Sequence, residues 1–215
     1  MRLISLNTWG GKKAERITNF FLQHRNSTDV FCLQEVFDFQ HTLETLLPDF
    51  QRYYATAEMG GYPRHNAIFI RKEHNTEYSD LGDGLQHVLV TAPQHISILN
   101  FHALWLDGNK VDNPEILEQT NRIADILQRT SPPLILAGDF NLWPETESIA
   151  IIERAKMRNL IKDYSVSSTR PKDFPFPNPF ADYIFTSPEI AIQSFKAMPD
   201  EVSDHLPLAL EFRIP

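Results

Sequence analysis

Residues Ile135 to Ser148 read ILAGDFNLWPETES, an apolar run that stops abruptly at a glycine, a carboxylate and an amide. The apolar half has the texture of a strand buried on both faces. Such a strand does not end in Gly138-Asp139-Phe140-Asn141 without consequence, because a buried Asp or Asn costs free energy unless something pairs with it. Taken alone, the motif reads equally well as a strand followed by an ordinary turn, since Gly, Asp and Asn are the residues turns prefer. The rest of the chain decides between the two readings.

Working outward, Pro114 to Arg129 is a helix that begins with Pro just after Asn113, with Ile116, Thr120, Ile123 and Leu127 on one face. Glu145 to Met157 is a second helix on the other side of the motif. Near the start, residues 2 to 6 form a short strand and Lys13 to Arg25 a helix with Ile17, Phe20, Phe21 and His24 at helical spacing. The segment DVFCLQE is a strand, and Phe39, Leu43, Leu46 and Leu47 mark a helix that Pro48 ends. RYYATA, NAIFIRK, HVLVTA and HISILNFHA follow as strands, and DYIFTS, IAIQSFKA and LPLALEFRI close the chain. No repeat and no linker divides it, so residues 1–215 are expected to form a single domain. Helices alternate with strands, yet consecutive strands imply antiparallel neighbours, and the fold class expected is therefore a mixed α/β sandwich rather than a parallel doubly wound sheet.

Polar residues recur at the ends of these strands. Asn7 follows LISL, Glu35 follows VFCLQ, His102 follows SILNF and Asp139 follows LILAG, while Asp182 precedes YIFTS and Asp204-His205 precedes LPLAL. If the last two strands run antiparallel to the others, all of these side chains reach one edge together. Turn chemistry explains one such motif; it does not explain six strand ends, whereas a convergent site held by rigid elements does.

The donor set narrows the chemistry. Carboxylates and amide oxygens suit hard cations such as Mg²⁺ or Mn²⁺, and the single cysteine, Cys32, excludes a thiolate zinc site and any disulfide within the chain. Acidic ligands, two histidines and no Ser or Cys nucleophile motif point to metal-assisted attack of water on phosphorus. Walker and dinucleotide-binding loops are missing, which leaves kinase and dehydrogenase readings without support. A formal net charge of -8 argues against a general electrostatic grip on nucleic acid or anionic membrane. With no apolar run of signal-peptide or membrane-spanning length, the chain is expected to be cytoplasmic, free of a membrane span, and monomeric.

LISLNTWG, VFCLQEV, ILNFHALW, LILAGDFNLWPE, ADYIFTS and VSDHLPLALEF, in this order and across nearly the whole chain, resemble the endonuclease/exonuclease/phosphatase superfamily, the DNase I-like fold. The resemblance implies a four-layer α/β/β/α sandwich of two mixed, largely antiparallel sheets, with Mg²⁺- or Mn²⁺-dependent hydrolysis of a phosphate ester at one edge. It implies Glu35 as principal metal ligand, with Asn7 and Asp204 close by. Asp139 takes the role of the carboxylate that orients or activates water, and Asn141 that of the amide holding nucleophile or phosphate. His205 resembles the histidine on the scissile phosphate, Asp182 its orienting carboxylate, and His102 a second phosphate-contacting histidine. A phosphodiester, as for a nuclease or DNA-repair phosphodiesterase, is the favoured substrate, with lipid, inositol and sugar phosphates as the alternative and a non-catalytic binding module as a further one. The family's abasic-site endonucleases carry an acidic residue where this chain has Trp9 and a lysine where it has Phe37.

Substrate recognition must come from the rim. Trp9, Trp105 and Trp143 each follow a candidate site residue by two or three positions, which suits stacking on a base or sugar of a nucleotide or nucleic acid, or packing of loops. Arg170, in the loop leading to Asp182, is the candidate contact for substrate phosphate. His24, His41, His74, His87 and His95 read as surface or packing residues.

Overall fold

The structure, a computed structural model, describes residues 1–59, 62–105, 110–176 and 179–214, without the side chains of residues 56–64. In chain order the elements are β1 (Arg2–Asn7), α1 (Ala14–His24), β2 (Val30–Gln34), α2 (Gln40–Leu46), β3 (Phe50–Met59) and β4 (Tyr62–Arg71). Next come β5 (Asn75–Asp80), β6 (Leu85–Ala92), β7 (Ile96–His102), α3 (Pro114–Arg129), β8 (Leu134–Asp139) and α4 (Glu147–Arg154). The chain closes with β9 (Arg158–Asn159), α5 (Leu160–Asp163), β10 (Asp182–Thr186), β11 (Ala191–Ala197) and β12 (Leu208–Arg213).

Two six-stranded sheets result, in the orders β11-β12-β1-β2-β4-β3 and β5-β6-β7-β8-β10-β9. At the centre of each lies one parallel pair, β1 with β2 and β7 with β8, linked through α1 and α3 respectively; the flanking pairs are antiparallel. Burial on both faces explains the unbroken apolar strands. In β2, Phe31 and Leu33 join Ile17, Phe20 and Phe21 of α1, while Val30 and Cys32 face the second sheet. Across the second sheet, α3 contributes Ile116, Ile123 and Leu127 to the core, and its N-cap is as expected, with Asn113 Oδ1 accepting the Ile116 N–H at 2.9 Å. The layers are thus α/β/β/α, as the sequence pattern and the resemblance imply.

A polar string crosses the space between the sheets. Gln34 donates to Asn100 Oδ1 at 2.6 Å, and Asn100 donates to the carbonyls of Leu33 and Ala67 and to Gln86 Oε1 at 3.0–3.2 Å. All three side chains are buried, so these mutual bonds fix the register of one sheet over the other beside the strand ends that carry the polar residues.

Gly138 accounts for the first letter of the GDFN motif. Its φ is +150°, and a Cβ there would overlap the backbone of Phe101 on β7. The close β7–β8 approach that sets Asp139 opposite His102 therefore requires glycine. Gly138→Ala is expected to cost about 3 kcal/mol and to lower Tm by roughly 6–12 °C in thermal denaturation; an unchanged Tm would show that the strands part without cost.

Candidate metal-phosphoesterase site

The site is built from strand register. Asp139 ends β8 and pairs directly with His102 on parallel β7 and with Asp182 on antiparallel β10, so the three side chains form a row along one sheet edge. From the other sheet, Asn7 ends β1, and Glu35 stands one residue past β2. Glu35 holds a left-handed φ of 51°, in a turn secured by Thr8 Oγ1 and the Gly10 N–H, both donating to the Glu35 carbonyl at 2.8 Å. Ser203-Asp204-His205 enters just before β12. Thr169 stitches the last two segments together: its hydroxyl accepts the N–H groups of Ala181 and Asp182, and its carbonyl accepts the Leu206 N–H at 2.8 Å.

These residues meet. The Asn7 amide donates to Glu35 Oε1 at 3.0 Å and to Asp139 Oδ2 at 2.9 Å, while Asn7 Oδ1 accepts the Trp9 N–H at 3.0 Å. His102 Nε2 lies 3.8 Å from both Glu35 Oε1 and Asp139 Oδ2. His205 Nδ1 donates to both oxygens of Asp182, at 2.8 and 2.9 Å, and its Nε2 stands 3.6 Å from Asp139 Oδ2 and 3.9 Å from Asp204 Oδ1. Arg170 bonds Asp204 through Oδ2 at 2.8 Å and the carbonyl at 2.9 Å, with its guanidinium 4.4 Å over the Phe174 ring. Asn141, with φ +53°, donates its backbone N–H to Asp139 Oδ1 at 3.0 Å and places its side chain at the same end of β8.

Electrostatics separates the two central carboxylates. Burial alone would raise Asp139, yet the fields of His205, His102, Arg170 and Lys110 outweigh it and hold the carboxyl well below its usual range, ionised at any working pH. Glu35 is pushed up, chiefly by burial and further by Asp139 and Asp204, against the opposing Asn7 hydrogen bond. His205 loses stability as a cation through burial and Arg170, but Asp182 and Asp139 more than restore it, and its pKa rises. The side chain of Glu35 remains 26% exposed while Asp139, Asp182, His102 and His205 are buried, so the cluster opens to solvent on the Glu35 side.

The donors fit the hard divalent cation that the family implies. Glu35, His102 and Asp139 offer ligand atoms within 4.8 Å of one another, as do Asp139, Asp182 and His205. No thiolate is near, since the single cysteine, Cys32, is buried between the sheets. Glu35, destabilised as a lone anion by burial and then by Asp139 and Asp204, is a residue that a cation would relieve. Asn7 retains a second lone pair on Oδ1, and Asp204 shares its charge with Arg170.

The aromatic rim is uneven. Trp105 is 53% exposed, Trp143 is half-buried, and the Trp9 ring carries the Lys12 ammonium 4.2 Å from its centroid. One cation was not foreseen from the sequence: Lys110, 7% exposed, donates to the Phe180 carbonyl at 2.9 Å. Residues 110–112 are pinned, because the Lys110 carbonyl accepts the Trp143 N–H at 3.1 Å and Asp112 caps α4 through the N–H groups of Glu147 and Ser148. Burial and Arg170 lower the Lys110 pKa to about 8, against the pull of Asp139, Asp182 and Asp204.

Comparison with known proteins agrees with this fold. The mannosyl-6-phosphatase of Bacteroides thetaiotaomicron VPI-5482 shares the fold at TM-score 0.75 and 18% identity, with 100% of both chains covered. An AP endonuclease from Archaeoglobus fulgidus does so at TM-score 0.75 and 17% identity, again over 100% of both. A UPF0294 protein of Vibrio parahaemolyticus is 26% identical over 121 residues, 56% of this chain and 41% of that protein, so the chain spans less than half the length of this curated relative. The model of the Endonuclease/Exonuclease/phosphatase family matches residues 4–205, and with that match spanning every strand end of the site, the chain belongs to that family.

Proposed function

We propose that this protein is a divalent-metal-dependent phosphoesterase that hydrolyses a phosphodiester, acting as a monomer of one catalytic domain. The observation that carries the reading is Asp139, kept ionised and flanked by His205 and His102 at 3.6–3.8 Å, with Asp182 behind His205. Asp139 can hold a water molecule by hydrogen bonding and accept its proton. His205, favoured as a cation, and His102 present ring nitrogens to the negative charge that grows on phosphate oxygens. Glu35, with Asn7 and Asp204, would hold Mg²⁺ or Mn²⁺, which when bound supplies Lewis-acid polarisation of the phosphoryl group. Asn141 would place the phosphate or the nucleophile, and Arg170 and Lys110 add positive field on the Asp204 side.

Purified protein with Mg²⁺ or Mn²⁺ should hydrolyse bis-p-nitrophenyl phosphate faster than p-nitrophenyl phosphate, and Glu35→Ala should not. The second reading, a monoesterase of sugar or inositol phosphates, is favoured by the two buried cations Lys110 and Arg170, which suit a dianionic group, and by the mannosyl-6-phosphatase of the same fold. Assay of single-stranded DNA, duplex DNA, RNA, inositol phosphates, mannose 6-phosphate and sphingomyelin distinguishes the two. Loss of all these activities in the presence of metal would remove the reading. Should a nucleotide-bearing substrate be found, Trp105→Ala is expected to raise KM by about 5–100-fold, the worth of one stacked base; an unchanged KM assigns Trp105 no stacking role.

Lys110 supplies a pH test. The ammonium, opposed by Arg170 and favoured by Asp139, Asp182 and Asp204, is lost as pH rises through about 8, so kcat/KM on an anionic substrate should fall above that pH. Lys110→Met should lose this limb and about 10–100-fold in kcat/KM. Stability moves the other way. A lysine whose folded pKa lies below its unfolded one is a burden at every pH below about 8, and the burden fades between about 8 and 10.5. Lys110→Met should therefore be the more stable protein at pH 7, with the gap closing across that window in denaturant titrations.

A further inference from the structure

At the opposite end of β2 from Glu35 lies a second cluster of metal-type donors. Asp29 precedes β2, and the turn Arg71-Lys72-Glu73-His74 follows β4, the neighbour of β2. Backbone bonds hold the two together: the Arg71 N–H donates to the Asp29 carbonyl at 3.0 Å, and the His74 N–H closes the turn on the Arg71 carbonyl at 3.1 Å. Gln51 fixes the far side by donating to the His74 carbonyl at 2.6 Å. In this frame Asp29, Glu73 and His74 offer ligand atoms within 4.8 Å of one another.

Acidic clusters on a surface are common and mean little alone. What sets this one apart is the imidazole. His74 is only 4% exposed, and both of its ring nitrogens are buried without a hydrogen-bond partner among the described residues. A buried imidazole with neither nitrogen satisfied costs free energy that a native structure ordinarily recovers through a partner. The neighbouring cations do not serve the carboxylates either. Arg71 donates to the carbonyls of Arg25 and Thr28, Arg2 to Ser27 Oγ, and Lys72 to the Pro48 carbonyl. Among the described residues, Asp29 receives only the Arg2 backbone N–H, at 2.6 Å on Oδ2.

We propose that Asp29, Glu73 and His74 form a second divalent-cation site, one nitrogen and two carboxylates, that takes Zn²⁺. Here the imidazole is one of three donors, which favours a borderline transition ion over Mg²⁺ or Ca²⁺, whereas at the first cluster Asn7 and Asp204 add hard oxygen donors to those of Glu35 and Asp139. Glu73 is exposed and Asp29 half-buried, so the two carboxylates leave the cluster open to solvent. The ion satisfies one nitrogen of His74 and staples the segment before β2 to the β4–β5 turn, a stabilising role remote from hydrolysis.

The test uses Glu35→Gln/Asp139→Asn protein, in which the first cluster is disabled. Titrated with ZnCl₂, it is expected to bind one equivalent, to move the His74 ring resonances in the NMR spectrum, and to gain ~5–10 °C in Tm at zinc 100-fold above Kd. Adding Glu73→Gln, at an exposed position that folding does not need, should weaken zinc binding by tenfold or more while leaving the Tm of the zinc-free protein unchanged. The proposal is overturned if no zinc binds, if zinc binds without moving His74, or if Glu73→Gln leaves the affinity as it was.

Discussion

Replacing Glu35 with glutamine is expected to lower divalent-cation-dependent phosphoesterase activity by about 10³-fold or more, the scale on which loss of several kcal/mol of transition-state stabilisation is felt. The fold should be untouched. Glutamine keeps the volume of Glu35 and an oxygen that accepts the Asn7 amide hydrogen, and the left-handed turn is held by the Glu35 carbonyl rather than its side chain. Stability without metal should even rise. Glu35 is an acid whose folded pKa is raised by burial, Asp139 and Asp204, so above the unfolded pKa its ionised form works against folding, and an uncharged isostere removes that burden. Thermal scans separate the effects: parent protein should gain Tm with added Mg²⁺, and Glu35→Gln, starting at or above the parent in chelator, should gain little. Full activity in Glu35→Gln, or an equal Mg²⁺ response, would take the metal away from this carboxylate.

Much of this site was legible in the sequence because strand register converts spacing into geometry. Once LILAGD, SILNFH and DYIFTS are read as strands, the residue at the mouth of each has few places to go. Parallel β7–β8 and antiparallel β8–β10 pairing then bring His102, Asp139 and Asp182 level. The Asp204-His205 pair was found the same way, through a strand that begins where the others end. Lys110 was not. It falls in the stretch LDGNKVDN, whose polar composition reads as solvated surface, and lysine is rarely buried. Its burial comes from partners distant in sequence, Phe180 and Trp143, with α4 capped two residues further on by Asp112, which no local pattern reveals. In the sequence His74 has no signal beyond that of a surface or packing residue, because its burial depends on β4 turning beside Asp29. Among the elements, β5 escaped because NTEYSD lies mostly exposed at a sheet edge, with no apolar face to alternate. Two-residue β9 and four-residue α5 are too short for any periodicity to show. The basic residues Arg154, Arg158 and Lys162 pair at the surface with Glu147, Asp163 and Glu153, while Arg170 is buried against Asp204.

His205→Ala is expected to cost about 10²–10³-fold in kcat, the worth of one preorganised donor aimed at developing charge. The argument rests on how the ring is held. Both oxygens of Asp182 accept from Nδ1, which fixes the ring plane and leaves Nε2 as the nitrogen that faces Asp139 and the open side of the cluster. Arg170 opposes a charge on the ring, while Asp182, Asp139 and Asp204 surround it with carboxylates, so the cation persists in a buried place. Asp182→Asn then discriminates between a charged donor and a mere spacer. An asparagine oxygen still accepts the Nδ1–H and keeps the ring in place, but the carboxylate charge is gone, and activity should fall by about 10–100-fold through a lower kcat with KM nearly unchanged. If His205 only packed the loop before β12, Asp182→Asn would leave kcat alone, and His205→Asn, which preserves polarity in the same pocket, would restore what alanine loses. Recovery of kcat in His205→Asn to within a few-fold of the parent would therefore remove His205 from the chemistry. A loss shared by alanine and asparagine, and graded by Asp182→Asn, is the result that the Asp182–His205–Asp139 row requires.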